Sequence, residues 1–230
     1  LNLFNDILDL SSLEADSLSF NIRPIKLIDI CLQLEQQFCY KVKNGTKLIL
    51  DDVDTELYVS GDWNRIIQII SNLLSNAMKF TPEGGFITVQ AGWQEISPAG
   101  EGPNGIRITV SDTGIGIPAE DLKNIFVRFY QSEGTQSHPV NTGSGIGLHL
   151  VKGYMDLHKG EITVESTPGK GTRFTLLLPA QPPQIASSDS QAAIGGTLPD
   201  TEKAPESPVP EGNKVTVLVA EDNEQFRTFM

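Results

Sequence analysis

An α/β two-layer sandwich, a mixed and mostly antiparallel sheet covered on one face by helices, is the fold this sequence predicts. Three observations lead to it. Short stretches with strand patterning come in consecutive pairs, two of the pairs joined by Gly- and Pro-containing loops. Two longer stretches, WNRIIQIISNLLSNAMKF and GLHLVKGYMDLHK, carry apolar residues at helical spacing. The composition, 39% hydrophobic and 20% charged over 230 residues, is that of an ordinary globular protein. A helix with one apolar stripe and a sheet with one apolar face bury each other in two layers.

The elements follow in chain order. Residues 1–20 carry Leu3, Phe4, Ile7, Leu8, Leu10 and Leu13 at helical spacing, like the tail of a longer helix. Residues 21–180 form the globular body. Within it, 25–41 reads as a helix with Ile28, Leu32 and Leu34 among its apolar positions. KLILDD and ELYVSGD are short strands. Asp62 is placed to cap the long helix that follows, whose apolar face uses Ile66, Ile70, Leu73 and Ala77. FITVQAGW and IRITVSD are strands separated by the loop SPAGEGPNG. AEDLKNIFVRFY reads as a helix after Pro118, and the polar stretch QSEGTQSHPVNTGSG as a mobile loop. GLHLVKGYMDLHK is the second long helix, with Gly160 as its C-terminal stop. EITVES and TRFTLLLP are strands joined by the turn TPGKG. Residues 181–213 are rich in Pro, Ser, Gly and acids and read as a flexible linker. Residues 214–230 open something new: KVTVLVA is a buried-strand pattern and EDNEQFRTFM turns helical.

Charge and composition exclude several functions. Seventeen Lys and Arg against 29 Asp and Glu leave a net charge of −12, which argues against nucleic-acid binding through a general basic surface. Any bound phosphate must be gripped locally, by amides, a metal and a few placed cations. No run of about 18 apolar residues could span a membrane, and LNLFNDILDL lacks the features of a signal peptide. Cys31 and Cys39 lie about 12 Å apart along a helix, too far for a bridge, so both are expected as buried free thiols of a cytosolic chain.

Three constellations carry chemistry. Asn72, Asn76 and Lys79 share one helical face opposite the apolar stripe. The row is either a solvated face or a phosphate and Mg²⁺ site, because an amide oxygen is a hard ligand and an ammonium a point charge. Asp112-Thr113-Gly114-Ile115-Gly116-Ile117-Pro118 follows a strand directly. It is either a plain turn or a carboxylate placed to accept an exocyclic amine, with glycines admitting a flat base. An aspartic protease also uses D-T-G but needs a second copy, which this sequence does not have. Gly143-Ser144-Gly145-Ile146-Gly147-Leu148 opens the second long helix, where free amides can bind phosphate. A dinucleotide fingerprint would read G-x-G-x-x-G directly after a strand, and this run does neither.

In this order the three resemble the N, G1 and G2 boxes of the GHKL ATPases, above all the catalytic ATP-binding domain of sensor histidine kinases. NLLSNAMKFTPEGG resembles the N box, DTGIGIP the G1 box, IFVRFYQ the F box, and TGSGIGLHLVKGYMDLHKGEITVESTPGKGTRFTLLLP the G2 box with its closing strands. The resemblance covers roughly residues 1–180 and implies the Bergerat ATP-binding fold with ATP and Mg²⁺ as ligands. Asn76 would then hold Mg²⁺, Asn72 would sit beside the phosphates and Lys79 would touch them. Asp112 would bind the adenine amine, with Gly114 and Gly116 shaping the pocket and Thr172 hydrogen-bonding near the base. Phe126 and Phe129 would hinge a lid, and Gly143, Gly145 and Gly147, followed by Leu148, would close over the triphosphate. The family often reads F-x-R-F-Y-R; here Arg128 is kept and Gln131 replaces the second arginine.

The resemblance also implies what lies around the domain. LFNDILDLSSLEADSLSF is similar to the end of a second dimerisation helix, so the parent is expected to be a homodimer whose phosphoacceptor histidine precedes this sequence. His138, His149 and His158 have no acceptor context; His149 and His158 are expected as half-exposed surface residues. KVTVLVAEDNEQFRTFM resembles the first strand of a receiver domain, in which Glu221 and Asp222 would hold Mg²⁺. Together these imply a hybrid sensor kinase, its catalytic part cytoplasmic and the parent anchored in the inner membrane. Two rivals stand beside this reading. A water-activating clamp ATPase would carry Glu or Asp where Asn72 stands, and an amide cannot serve as a base. A non-catalytic nucleotide-binding regulatory module is the other, supported by Gln131.

Overall fold

The computed structural model describes residues 2–15, 17–38, 45–94, 105–131, 143–180 and 214–219. The elements are α1 (Asn2–Glu14), β1 (Arg23–Lys26), α2 (Leu27–Phe38), β2 (Lys47–Asp54), β3 (Tyr58–Gly61), α3 (Trp63–Phe80), β4 (Phe86–Gln94), β5 (Gly105–Asp112), α4 (Ala119–Leu122), α5 (Gly147–Leu157), β6 (Glu161–Thr167), β7 (Gly171–Pro179) and β8 (Lys214–Val219). Six strands form one sheet in the order β6-β7-β5-β4-β2-β8, and β1 pairs with β3 in a separate ribbon. Among the described strands only β2 and β4 run parallel. The sheet is therefore mixed and mostly antiparallel, as the patterning predicts.

Alternation along the strands decides which face is covered. Ile87, Val89 and Ala91 on β4, Ile106, Ile108 and Val110 on β5, and Phe174, Leu176 and Leu178 on β7 are buried. Arg107 and Arg173 point to the opposite, open face and are exposed. The helices close the buried face. α3 presses Ile66, Ile69, Ile70, Leu73, Leu74 and Ala77 into the core, and α5 adds Leu150, Val151, Tyr154 and Met155. Asp62 caps α3 as expected: its side chain accepts from the amides of Asn64 at 3.0 Å and Arg65 at 3.2 Å. α1 lies against this body through buried Leu10 and through Asp9, which pairs with Arg65 on α3 at 2.9 Å.

Three element boundaries depart from the sequence reading. Residues 23–26, expected in part as helix, are a strand, and α2 begins at Leu27. Pro24 lacks an amide hydrogen and holds its predecessor extended, and Ile25 pairs with Val59 of β3. The helix expected over 119–130 lasts four residues. Beyond it the chain makes tight i→i+3 turns, Asn124 to Asp121 at 2.8 Å and Val127 to Asn124 at 2.8 Å. Phe129 takes a left-handed φ of 62° and donates its amide to Gly145 O at 2.9 Å, a tertiary bond that overrides helix continuation. α5 does not use Gly160 as its left-handed stop. Lys159 holds that position at φ 55°, and the amides of Lys159 and Gly160 bond Asp156 O and Met155 O. Gly160 is needed for clearance instead, because a Cβ there would lie 2.6 Å from Leu177 O.

Cys31 is buried and free, with burial pushing its thiol up to about 12, so it stays protonated. Cys39, His138, most of the polar loop, the linker and Glu221 and Asp222 lie outside the described residues. β8 runs antiparallel along β2, from Leu48 opposite Val219 to Asp54 opposite Lys214.

His158 is a correction. It is buried at 3% exposure rather than half-exposed at the surface. Its Nδ1 donates to Tyr154 O at 2.6 Å, and its Nε2 accepts the Asp62 amide at 3.0 Å. A backbone N–H can only donate, so Nε2 must keep its lone pair and the ring must be neutral. The Phe20 ring packs edge-on at 4.6 Å. Burial lowers the pKa of His158, opposed by the Tyr154 carbonyl and the Asp62 carboxylate. The neutral ring therefore contributes stability that is fully present above the unfolded pKa of about 6.5 and is lost as pH falls below it. Urea unfolding at about pH 7.5 and about pH 5.5 should show this loss in the wild type. His158→Phe should lower stability at the higher pH by about 1–3 kcal/mol, through the orphaned Asp62 amide, and flatten the pH dependence. Equal pH dependence in both proteins would contradict a neutral His158.

Candidate functional site

The site lies where α3, the end of β5 and the start of α5 meet under the covered face of the sheet. Asn72, Asn76 and Lys79 line one cleft together with Asp112, Gly116, Gly143, Gly145, Gly147, Leu148 and Thr172. The helical spacing that puts the amide row opposite the apolar stripe is what turns it into the cleft. Asp112 enters from the other wall. It shares strand parity with buried Ile106, Ile108 and Val110, and is paired with Ile87 on β4 and Thr172 on β7. The last residue of β5 therefore presents a carboxylate on the helix-covered face, half-buried, where a surface turn would have presented it to solvent.

Two amides fix that carboxylate. Gly114 N donates to Asp112 Oδ1 at 2.8 Å, and the Thr172 backbone N–H donates as well. Burial raises the Asp112 pKa, and these two bonds oppose the rise. The loop behind it is stitched to the β6–β7 hairpin. Ile117 N donates to Ser166 Oγ at 2.8 Å, Ser166 Oγ donates to Gly171 O at 2.9 Å, and Gly169 N donates to Ile115 O at 2.7 Å. Gly171 sits at φ 104°, and a Cβ on it would collide with the Asp112 carbonyl. Ile115, Ile117, Ile125 and Phe174 complete an apolar wall beside Asp112 and Thr172. A slot with one carboxylate at its end and apolar sides suits a flat base bearing an amine.

The other end of the cleft suits anions. α5 starts without a side-chain cap, so its first amides carry the partial positive charge of a helix N-terminus. Asn72 Nδ2 donates to Gly147 O at 3.4 Å, holding that start against α3. A Cβ on Gly143 would lie 3.6 Å from Lys79 Nζ, so the ammonium faces the glycine turn. Burial lowers the Lys79 pKa. Lys79 is the one cationic side chain lining the cleft among the described residues. The side chain of Asn76 lines the cleft and makes no hydrogen bond to another described residue, and an amide oxygen there suits a hard cation. An amide row and an ammonium provide no general base for water.

Not every expected residue reaches the cleft. Gly114 is buried behind the carboxylate, against Phe80 O. Phe126 packs on the core, and its carbonyl accepts from His149 Nδ1 at 3.1 Å. Phe129 is exposed at 55% and contributes its backbone, not its ring. Arg128 is turned away, its Nη1 paired with Glu14 Oε1 of α1 at 2.6 Å. Six lining residues were not singled out by the sequence reading: Asp6, Ser75, Phe80, Ile125, Tyr130 and Phe174. Phe174 was accessible, since it stands two residues from Thr172 on the same strand face. Asp6 was not, because only the docking of α1 brings it to the cleft.

Comparison with known proteins agrees with this geometry. The family described as histidine kinase-, DNA gyrase B- and HSP90-like ATPase matches residues 61–182. The sensor histidine kinase WalK of Bacillus subtilis is 32% identical over 179 residues, covering 78% of this chain and 28% of WalK. The circadian input-output histidine kinase CikA of Thermosynechococcus vestitus is 37% identical over 227 residues, covering 96% of this chain and 29% of CikA. The chain thus spans under a third of the length of these relatives. Among solved structures, the catalytic domain of histidine kinase ThkA is 26% identical with a TM-score of 0.57, covering 70% of this chain and 97% of that one. Full-length ShkA in complex with AMPPNP is 25% identical with a TM-score of 0.63, covering 78% and 35%.

The contact between Gly171 and the Asp112 main chain gives a paired test. Gly169 also has a left-handed φ of 75°, but a Cβ there would meet nothing within 4 Å. Gly169→Ala should cost about 1–2 kcal/mol of backbone strain and leave nucleotide affinity unchanged. Gly171→Ala should cost more and weaken nucleotide binding at least about tenfold by displacing Asp112. Thermal unfolding and calorimetry measure both. Equal affinity in the two variants would show that Gly171 does not set the position of Asp112.

Proposed function

The chain belongs to the histidine kinase-, DNA gyrase B- and HSP90-like ATPase family, as a catalytic domain of the sensor histidine kinase kind, and from that premise we propose that it binds Mg-ATP and transfers the γ-phosphoryl group to a histidine on a dimerisation helix. The observation that carries the reading is the convergence of Asp112, the Asn72–Asn76–Lys79 row and the Gly143–Gly147 turn on one cleft. In this reading Asp112 accepts the exocyclic amine of adenine, while Ile115, Ile117, Ile125 and Phe174 cover the faces of the ring. The α5 amides and Lys79 take the phosphates.

The donor set fits Mg²⁺, which prefers one or two protein oxygens plus phosphate oxygens and water. Asn76 would hold it, with Asn72 next along the row. When bound, the ion would neutralise charge on the β- and γ-phosphates. The residues themselves bind, orient and exclude water. The imidazole attacks the γ-phosphorus, the bond from that phosphorus to the bridging oxygen breaks, and ADP leaves with the electron pair. With amides where a water-activating enzyme would carry a carboxylate, the cleft favours an external nucleophile over hydrolysis.

The same proposal extends to the parent. Residues 1–20, helical over Asn2–Glu14, would carry the end of a dimerisation helix, and 214–230 would be the start of a receiver domain whose first strand, β8, lies along β2 here and in which Glu221 and Asp222 would hold Mg²⁺. The parent would be a homodimeric hybrid kinase. Among the described residues no helix is long and apolar enough to cross a membrane, and the proposed setting of this domain is cytoplasmic, in a parent anchored in the inner membrane. One observation favours the rival reading of a non-catalytic nucleotide-binding module: Arg128 faces Glu14 and Gln131 is neutral, leaving Lys79 as the cleft's cation among the described residues.

Phosphoryl transfer in trans separates the two. Mixed with a separate polypeptide holding the dimerisation helices and acceptor histidine, the chain should label that polypeptide from γ-labelled ATP. The reaction should be slow, because it lacks the roughly millimolar effective concentration of a tether. Asn76→Ala should abolish it. Asp112→Asn should weaken ATP binding about ten- to a hundredfold, since a charged acceptor is replaced by an amide. ATP binding without any transfer would establish the regulatory module instead. Label accumulating on the isolated chain would place an acceptor histidine among its own three.

A further inference from the structure

We propose that Gln131 is a positioning residue that holds the Gly143–Gly147 turn open to phosphate, so that phosphates at this end of the cleft are recognised through main-chain amides. The inference rests on the Mg-ATP reading above and specifies how that site is built. Gln131 Nε2 donates to Gly143 O at 2.7 Å. Two residues away, Phe129 N donates to Gly145 O at 2.9 Å. Segments 129–131 and 143–145 are thereby clasped side by side at the cleft wall. Gly145 fits only because it has no side chain: a Cβ would lie 2.8 Å from the Phe129 backbone, and its φ is 69°.

The direction of the bond matters. Gly143 O accepts from Gln131, so this carbonyl is engaged on the clasp side. An unheld peptide could turn its oxygen toward the phosphates, an acceptor facing anions. Charge sharpens the point. Among the described residues, the side chains lining the cleft include two carboxylates, Asp6 and Asp112, and a single ammonium, Lys79. Arg128 is paired with Glu14 on α1. With one side-chain cation, the orientation of the main-chain amides must supply much of the attraction for phosphate. Gln131 provides a donor and no charge, which is what fixing a carbonyl requires.

The test uses the full chain, with Gln131→Met, which keeps length but not the donor, and Gln131→Glu, which puts an acceptor against Gly143 O. Gln131 is exposed, so both variants should unfold at the wild-type temperature. Amide hydrogen exchange without nucleotide should accelerate at 143–147 in both. Affinity for a non-hydrolysable ATP analogue with Mg²⁺ should fall about fivefold in the Met variant and tenfold or more in the Glu variant. Affinity for adenosine, which has no phosphate, should stay unchanged in both. Unaltered exchange would show that Gln131 does not hold the turn. Faster exchange with unaltered analogue affinity, or an equal loss for adenosine, would show that the turn's orientation does not serve phosphate. Failure of the wild type to bind the analogue at all would instead overturn the Mg-ATP reading itself.

Discussion

The bond between the Asp62 amide and the His158 imidazole is the joint on which the site depends. It ties the residue that caps the start of α3 to the one that caps the end of α5, and these two packed helices line the cleft together. α3 supplies the amide row and the ammonium, and α5 supplies the free amides. Asp62 serves this joint several times over. Its side chain caps α3 and also accepts the Asn21 amide at 2.9 Å, while its own N–H goes to the histidine. Gly61 belongs to the same joint, since a Cβ there would lie 2.8 Å from the ring. The spacing between the start of α5 and the polar face of α3 is thus held at two places, by this joint at the far ends of both helices and by the Asn72–Gly147 bond at the cleft.

Much of the fold and site was legible in the sequence for a definite reason. Where a residue's role follows from the period of its own element, the letters suffice. The Asn72–Asn76–Lys79 face, the Asp62 cap and the one-sided burial of β4, β5 and β7 are of this kind. Where the role depends on a distant partner, they do not. Phe129 leaves the helical pattern because Gly145 O draws its amide, and Arg128 leaves the cleft because Glu14 lies on α1. His158 has the flanks of a surface residue, and nothing local announces that Asp62, 96 positions away, will donate to it. The motif glycines were legible as a set but not one by one: Gly116 and Gly145 are there for left-handed backbone, Gly114 and Gly160 for clearance.

The docking of α1 couples the ATP-binding body to whatever moves that helix. Arg65 Nη1 meets Asp9 at 2.9 Å and Tyr154 OH at 3.1 Å, with Gln68 closing the network onto Asp9 at 2.8 Å. Leu10 and Leu13 add apolar contact, Leu13 lying against Gly153. The Arg65–Asp9 pair is half-buried, whereas Arg128–Glu14 is largely exposed and accordingly worth little by itself. The helix is thus held firmly in its middle and loosely at the end nearest the F-box residues. Rotation of α1 about that middle would carry Glu14 and Asp6 in opposite directions relative to the cleft.

Lys159 has a consequence of a different sort. A lysine in the left-handed region costs roughly 1–2 kcal/mol that glycine would not, and its side chain is exposed and makes no ion pair with another described residue. The neighbouring glycine cannot exchange places with it, because Gly160 must admit the backbone of β7. The chain therefore keeps an unoptimised helix end about as far from the cleft as α5 allows. For anyone seeking a sturdier domain for crystallisation or ligand screening, that turn is where thermal tolerance can be raised with the chemistry of the cleft left as it is.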